Sequence, residues 1–234
     1  MQSAVPLLIY LLALALMFDL MLFGAPVDPQ LGLYLAIISI FVIGAISIMG
    51  IFKRSILTYA VYSTGIQFAY FTLDASTAIL IGKSLWFAII QFINFAVAGL
   101  PFVLVITLLY LKFGKIQIRS YCGLFEKNQF LTIVLLISCL SLGGMPGFNI
   151  FVGEYIIYKS LFDIHPALTL ATVFASLVAF IFYFRICYVL MAGKSDEKMN
   201  LGLPMKILLA IFSVAIIVLG IIPQILFGIL ELVS

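Results

Sequence analysis

Four ionisable residues stand inside long apolar runs, and their types could do chemistry there. Glu154 and Lys159 lie in Phe151-Val152-Gly153-Glu154-Tyr155-Ile156-Ile157-Tyr158-Lys159, Arg185 in Phe182-Tyr183-Phe184-Arg185, and Asp19 in Leu16-Met17-Phe18-Asp19-Leu20. A charge at the centre of a bilayer costs about 2.5–3.5 kcal/mol on insertion scales, so a residue of this kind inside a span is a functional candidate by default. The chemistry open to a carboxyl and an amine in such a place is proton transfer, because burial and neighbouring charge tune the proton affinity of both groups.

Each candidate also has a plainer reading. Glu154 is either a proton carrier or one half of a structural ion pair with a helix of another chain. Lys159, nearer its helix end, either takes part in the path or snorkels to the surface. The two are five residues apart, roughly 140° around a helix, so they do not form the favoured i,i+4 pair and each seeks its partner elsewhere. Arg185 sits about a turn and a half from its helix end and reads as an anchor before a relay or ion-pair residue. Asp19 is a relay carboxylate or, being close to Gly24, an interfacial one. Gln67, Gln91, Asn94 and Asn149 either bridge water chains or hold helices together. Lys83 reads as the lip of a helix, and His165, before Pro166, as solvated.

These residues need apolar elements to position them. Of 234 residues, 65% are hydrophobic and 9% charged, whereas a soluble domain carries about a quarter charged residues. Apolar runs of about 20 residues recur along the chain, the length that spans the hydrocarbon of a bilayer. Lipid offers no hydrogen-bond partners, and runs apolar on every face exclude a membrane barrel. The expected fold is therefore all-α, a polytopic transmembrane helical bundle forming one domain over residues 1–234. About seven spans are expected, at residues 4–24, 31–52, 55–73, 84–111, 128–162, 167–191 and 206–230. The connections read as Gly24-Ala25-Pro26-Val27-Asp28-Pro29, Lys53-Arg54, Asp74 to Lys83, Lys112 to Lys127, Asp163 to Pro166 and Gly193 to Pro204.

The fifth segment is too long for a straight span, and Gly143-Gly144-Met145-Pro146-Gly147 lies in its middle. Proline removes a helix hydrogen bond and clashes with the preceding turn, so the helix breaks near Pro146. Basic loop residues concentrate on the cytoplasmic or matrix side. If the segment is one discontinuous span, Lys53, Arg54, Lys112, Lys115, Arg119, Lys127, Lys194, Lys198 and Lys206 share a side and Lys83 stands opposite. If it is two spans, the last three change sides and the asymmetry fades. The first arrangement is favoured, with the N-terminus inside and the C-terminus outside. Interrupted helices persist where protein or water lines the break, and they commonly mark ion pathways.

Other classes are excluded or unsupported. A net charge of +3 scattered between apolar runs gives nucleic-acid binding no footing. Cys122, Cys139 and Cys187 have neither metal-site nor disulfide-framework spacing and read as packing residues. The first helix lacks a basic n-region, so a cleavable signal peptide is not expected.

Several stretches resemble a known family. Lys53-Arg54-Ser55-Ile56-Leu57-Thr58-Tyr59-Ala60-Val61-Tyr62-Ser63 is similar to the K-R-x-L-x-Y-S-S-I stretch of the antiporter-like subunits of respiratory complex I, NADH:quinone oxidoreductase. Tyr121-Cys122-Gly123-Leu124-Phe125, then Leu140-Ser141-Leu142-Gly143-Gly144-Met145-Pro146-Gly147 through Glu154, resemble its G-L-F segment and broken helix. Ser176 with Phe182-Tyr183-Phe184-Arg185, and Leu219-Gly220-Ile221-Ile222-Pro223, resemble the S…Y-Y-x-R helix and the G-x-x-P ending. The matches keep the family's order over residues 31–228. The S-L-G-G-x-P wording and Phe92, Phe95 and Phe102 resemble subunit 2, the bacterial N subunit. Phe151-Val152-Gly153-Glu154 instead resembles subunit 4, which has glutamate where subunit 2 has lysine.

The resemblance implies a proton-translocating membrane-arm subunit with Glu154 as central carrier, Lys159 as partner or exit group, and water entering at the Pro146 break. It implies no redox group in this chain; NADH, FMN, iron–sulfur clusters and quinone belong to the complex. Family members have about fourteen helices, so the resemblance further implies a split subunit whose N-terminal helices come from a separate chain. The lysine expected in the first helix is absent, Asp19 being the nearest ionisable group. The implied partners are other membrane-arm subunits and lipid, and the implied compartment is the mitochondrial inner membrane or, alternatively, a bacterial or archaeal plasma membrane. Two rivals stand beside this reading: a subunit of a multi-subunit cation/proton antiporter, and a membrane-arm scaffold that does not pump.

Overall fold

The computed structural model describes residues 4–22, 28–114, 116–194 and 198–233. The expected turn at Gly24-Ala25-Pro26-Val27 and the expected basic residue Lys115 lie outside the described residues. The described chain runs through α1 (Val5–Leu22), α2 (Pro29–Ile51), α3 (Ile56–Leu80), α4 (Ile89–Phe113), α5 (Gln129–Leu142), α6 (Asn149–Ile164), α7 (Pro166–Met191), α8 (Leu203–Ile221) and α9 (Gln224–Val233). Short 3-10 turns stand at Leu85–Ala88, Ile118–Tyr121 and Leu124–Glu126.

Local chemistry starts and stops these helices. The Asp28 side chain accepts from the Gln30 amide and Pro29 supplies a fixed φ, a strong N-terminus for α2. Pro166 and Pro204 open α7 and α8 in the same way. Gly114 closes α4 in a left-handed conformation, its amide donating back to Tyr110.

By length and apolar composition α1, α2, α4, α7 and α8 could each cross a membrane. Helix α3 is equally long but more polar, and it is enclosed by α1, α2, α4 and α6, so its polar groups meet protein rather than lipid. The expected span at 55–73 is corrected here, because α3 continues to Leu80 and carries Asp74 inside it. Nothing between Asp74 and Leu80 breaks a helix, and the cost that made Asp74 look like a terminus applies to lipid, not to a protein interior. The last expected helix, 206–230, is divided at Pro223 into α8 and α9.

The expected break is present, with α5 ending at Leu142 and α6 starting at Asn149. The two halves hardly touch each other, yet both pack on α4, α7 and α8. Two helices folded back as a hairpin would lie side by side; these behave as one interrupted span inside a common sheath. The turn Ile118–Glu126 meets α5 at 116°, so it lies across the end of the bundle rather than lengthening it.

The basic loops gather at that end. Ser55 and Gln117 form an antiparallel bridge, with the Ile56 amide donating to Ile116 and the Ile118 amide to Arg54, both at 2.8 Å. Gly123, at φ +72°, lies so close to Gly193 that a Cβ would stand 2.6 Å from its carbonyl carbon. The Met199 amide donates to Asn128 Oδ1 at 2.6 Å. These contacts bring the loops carrying Lys53, Arg54, Arg119, Lys127, Lys194 and Lys198 to one face, while Lys83 follows the far end of α3. Single cysteines introduced as Lys127→Cys and Lys198→Cys should therefore react with an impermeant maleimide from the same side of sealed vesicles, and Lys83→Cys from the other. Labelling of all three from one side would contradict this arrangement.

Candidate functional site

A break in a buried span frees backbone carbonyls and amides, each of which needs a partner. Part of the demand is met by the turn itself, where the Gly143, Gly144 and Met145 amides donate back to Cys139, Ser141 and Leu140. Side chains meet more of it. Gln67 Nε2 donates to the Leu142 carbonyl at 3.0 Å, and Gln91 Nε2 donates to Gln67 Oε1 at 3.1 Å. On the other lip, Ser141 Oγ donates to Asn149 Oδ1 at 2.7 Å and Asn149 Nδ2 donates to the Asn94 carbonyl at 3.0 Å. The four neutral polar residues singled out in the sequence thus stitch α3, α4, α5 and α6 together at the interruption. Gln91 Oε1 and Asn94 Nδ2 remain without hydrogen-bond partners among the described residues.

Glu154 projects onto this break. It is 2% exposed, and its carboxylate lies against Gly144, where a Cβ would collide with it. Gly144 also has φ +72°, a conformation that glycine takes without strain. Tyr158, one turn on, donates to Glu154 Oε2 at 2.7 Å. Tyr158 and Ser176 of α7 share a hydrogen bond of 2.6 Å, and Tyr70 of α3 donates to Ser176 Oγ at 2.6 Å. Each hydroxyl has one hydrogen. Tyr158 spends its own on Glu154, so Ser176 must donate to Tyr158, and the line Tyr70, Ser176, Tyr158, Glu154 has a single donor sense. Beside it, a cavity of about 260 Å³ is lined by Gly144, Pro146, Glu154, Tyr158, Ser176 and Leu177. Leu177 is 55% exposed, so the cavity reaches the outer surface of the chain.

The other three candidates are not brought to Glu154. Lys159 is exposed on the face of α6 that carries Tyr155 and Phe162. Asp19 is exposed near the end of α1, among Leu16, Phe18 and Leu20. Arg185 is half-buried at the basic end, its guanidinium 5.8 Å from the centroid of the Tyr59 ring. His165 and Lys83 are exposed. Cys139 and Cys187 are buried and Cys122 half-buried, all with free thiols. Among the described residues no three or more His, Cys, Asp or Glu side chains converge as a metal ion would need.

Tyr70, Tyr158 and Asp74 were not singled out in the sequence. Tyr158 is the i+4 neighbour of Glu154, and Ser63, Gln67, Tyr70 and Asp74 recur at the spacing of one helix face; that stripe is the signal that marks them. Ser63 hydrogen-bonds Tyr183 at 2.8 Å, so the stripe is partnered from Ser63 through Gln67 to Tyr70. Asp74, 2% exposed, ends it with Oδ1 unpartnered among the described residues.

Residues 1–179 match the family model for the transmembrane domain of NADH:quinone oxidoreductase and Mrp antiporters. The chain belongs to this family. NADH-quinone oxidoreductase subunit N of Bacillus anthracis is 31% identical over 147 residues, covering 61% of this chain and 28% of that protein. Subunit N of Phocaeicola vulgatus is 27% identical over 233 residues, 95% of this chain and 47% of that protein. The chain thus spans less than half the length of the curated relatives it matches. In three dimensions it is similar to a chain of the Mrp complex from Dietzia sp. DQ12-45-1b, with a TM-score of 0.75 and 14% identity over 87% of this chain and 47% of that one. The antiporter-like fold with its broken helix is therefore that of the family.

Gly144→Ala should cost about 1–3 kcal/mol from its backbone conformation alone, with displacement of the Glu154 carboxylate in addition. Thermal unfolding of the detergent-solubilised chain measures this; an unchanged midpoint would contradict both the left-handed backbone at Gly144 and the carboxylate resting against it.

Proposed function

We propose that this chain is the proton-translocating, antiporter-like membrane subunit of a complex I-type NADH:quinone oxidoreductase, most similar to subunit N (subunit 2). The observation that carries the reading is the buried Glu154 carboxylate held against an interrupted helix at the end of a one-way line of hydroxyls. Burial penalises the charged form of this carboxylate while the Tyr158 hydroxyl stabilises it, opposing pulls that suit a group gaining and losing a proton. Glu154 is the carrier. Tyr158, Ser176 and Tyr70 relay protons to it, and the cavity beside Pro146 admits water. Asp74, one turn further along the polar face of α3, is the next carboxyl on the way to the Lys83 end.

Lys159, Asp19 and Arg185 take lesser parts. Lys159 serves as an exit group toward a neighbouring subunit, Asp19 as an interfacial carboxylate, and Arg185 as an anchor. Redox groups and quinone belong to other subunits, whose energy this chain converts into proton movement. The partners are other membrane-arm subunits, lipid, and a further set of helices, from a separate chain in this reading, that makes up the length of the relatives. The bacterial source of the relatives reported above supports a bacterial plasma membrane over the mitochondrial inner membrane, with the basic end facing inward.

The similarity to a chain of the Mrp complex favours one rival, a cation/proton antiporter subunit. Purification from native membranes separates the two, since only the complex I subunit travels with iron–sulfur proteins.

In inverted vesicles, Glu154→Gln should lower the number of protons taken up per NADH oxidised. An unchanged ratio would support the scaffold reading instead. Tyr158→Phe should slow proton uptake about tenfold, the kinetic equivalent of one hydrogen bond lost from the line. Stopped-flow measurement of pH-dye quenching would show it, and a rate equal to wild type would remove Tyr158 from the path.

A further inference from the structure

The basic end of the bundle holds a cavity that proton transfer does not use. It has a volume of about 430 Å³ and is lined by Arg54, Arg119, Arg185, Gln117, Ile51 and Phe52. Three arginines line this space, and among the described residues no carboxylate does. Among the described residues no acidic side chain forms an ion pair with any of the three, and Arg185 lies over the Tyr59 ring. Like charges gathered without a counter-ion repel one another, and an anion relieves that cost.

The cavity is also rigidly built. The Arg54 carbonyl accepts from the Ile118 amide at 2.8 Å, and Ser55 is bridged to Gln117, so the backbones carrying Arg54 and Arg119 are fixed to one another. Ile118, between them, is 1% exposed and forms the floor. Arg185 reaches in from α7, which packs along α2.

Its position and its walls say what kind of anion fits. Arg185 is half-buried, whereas Arg54 and Arg119 are exposed at the end of the bundle, so the charge extends from the helix ends toward the surface. The rest of the wall is apolar. Phe52 is 77% exposed, and Ile48 and Met49 of α2 continue an exposed apolar face away from it. A free inorganic anion would use the guanidiniums and leave that face unmatched. A phosphate joined to acyl chains matches both, and basic pockets between transmembrane helices on the inward face are suited to anionic headgroups.

We propose that Arg54, Arg119 and Arg185 form a binding site for the phosphate headgroup of an anionic phospholipid, whose acyl chains run along the α2 surface below Phe52. The guanidiniums donate charge-assisted hydrogen bonds to the phosphate oxygens, and Gln117 adds a neutral donor at the rim. Bound lipid would clamp α2, α7 and the loop before α5 together at the inward face. This inference does not depend on Glu154 carrying protons.

The test uses the full chain, delipidated in a neutral detergent, with phosphatidylglycerol, cardiolipin, phosphatidylcholine and inorganic phosphate as separate probes. Native mass spectrometry counts bound lipid, and thermal unfolding reports stabilisation. Phosphatidylglycerol and cardiolipin should bind and raise the unfolding midpoint, while phosphatidylcholine and inorganic phosphate should do neither at equal concentration. Arg54→Gln and Arg119→Gln, both at exposed positions, should each weaken anionic-lipid binding about tenfold, the loss of one charge-assisted contact. Equal binding of phosphatidylcholine, equal stabilisation by inorganic phosphate, or undiminished lipid binding by the two variants would each overturn the proposal.

Discussion

An interrupted helix in a medium without water has to find hydrogen-bond partners for the backbone it exposes, and the interior of this protein is organised around that demand. Gln67 serves the Leu142 carbonyl, Gln91 braces Gln67, and Asn149 ties Ser141 to Asn94. These contacts draw α3 and α4 onto the break. They also explain why α3, too polar for lipid, is the helix wrapped by its neighbours. An unpartnered buried polar group costs about 1–3 kcal/mol. The amide side chains are therefore structural necessities before they are anything else, and the carboxylate of Glu154 occupies a place that they keep open.

Much of this was legible in the sequence, and the reasons are physical. Gly143, Gly144, Pro146 and Gly147 interrupt a long apolar run, and proline cannot continue a helix in any environment. The break therefore stands where it was expected, between Leu142 and Asn149. The sidedness of the basic loops rests on the large cost of moving charge across lipid, a cost independent of how the helices pack. Glu154 was identifiable because a carboxyl inside an apolar run has so few explanations.

What was not legible depends on packing. Asp74 reads as a helix end only if its surroundings are lipid; enclosed by protein, it stays in α3. Tyr70 and Tyr158 are ordinary aromatic residues by composition; Tyr158 reaches Glu154 from one turn away on α6, and only the approach of α7, which sets Ser176 between the two tyrosines, joins Tyr70 to the line. The exposed face of α6 holds Lys159 apart from Glu154, as their angular separation already suggested. Arg54, Arg119 and Arg185 are far apart in the chain, and nothing short of the Ser55–Gln117 bridge and the α2–α7 packing shows that they share one cavity.

The single donor sense of the hydroxyl line has a temporal consequence. Passing one proton along Tyr70, Ser176 and Tyr158 reverses every hydrogen bond in it, leaving each hydroxyl facing the way the proton came. A second proton cannot follow until all three have swung back. Where the line carries protons as proposed, it therefore has a refractory interval while the hydroxyls turn back, a ratchet that must be rewound between successive charges.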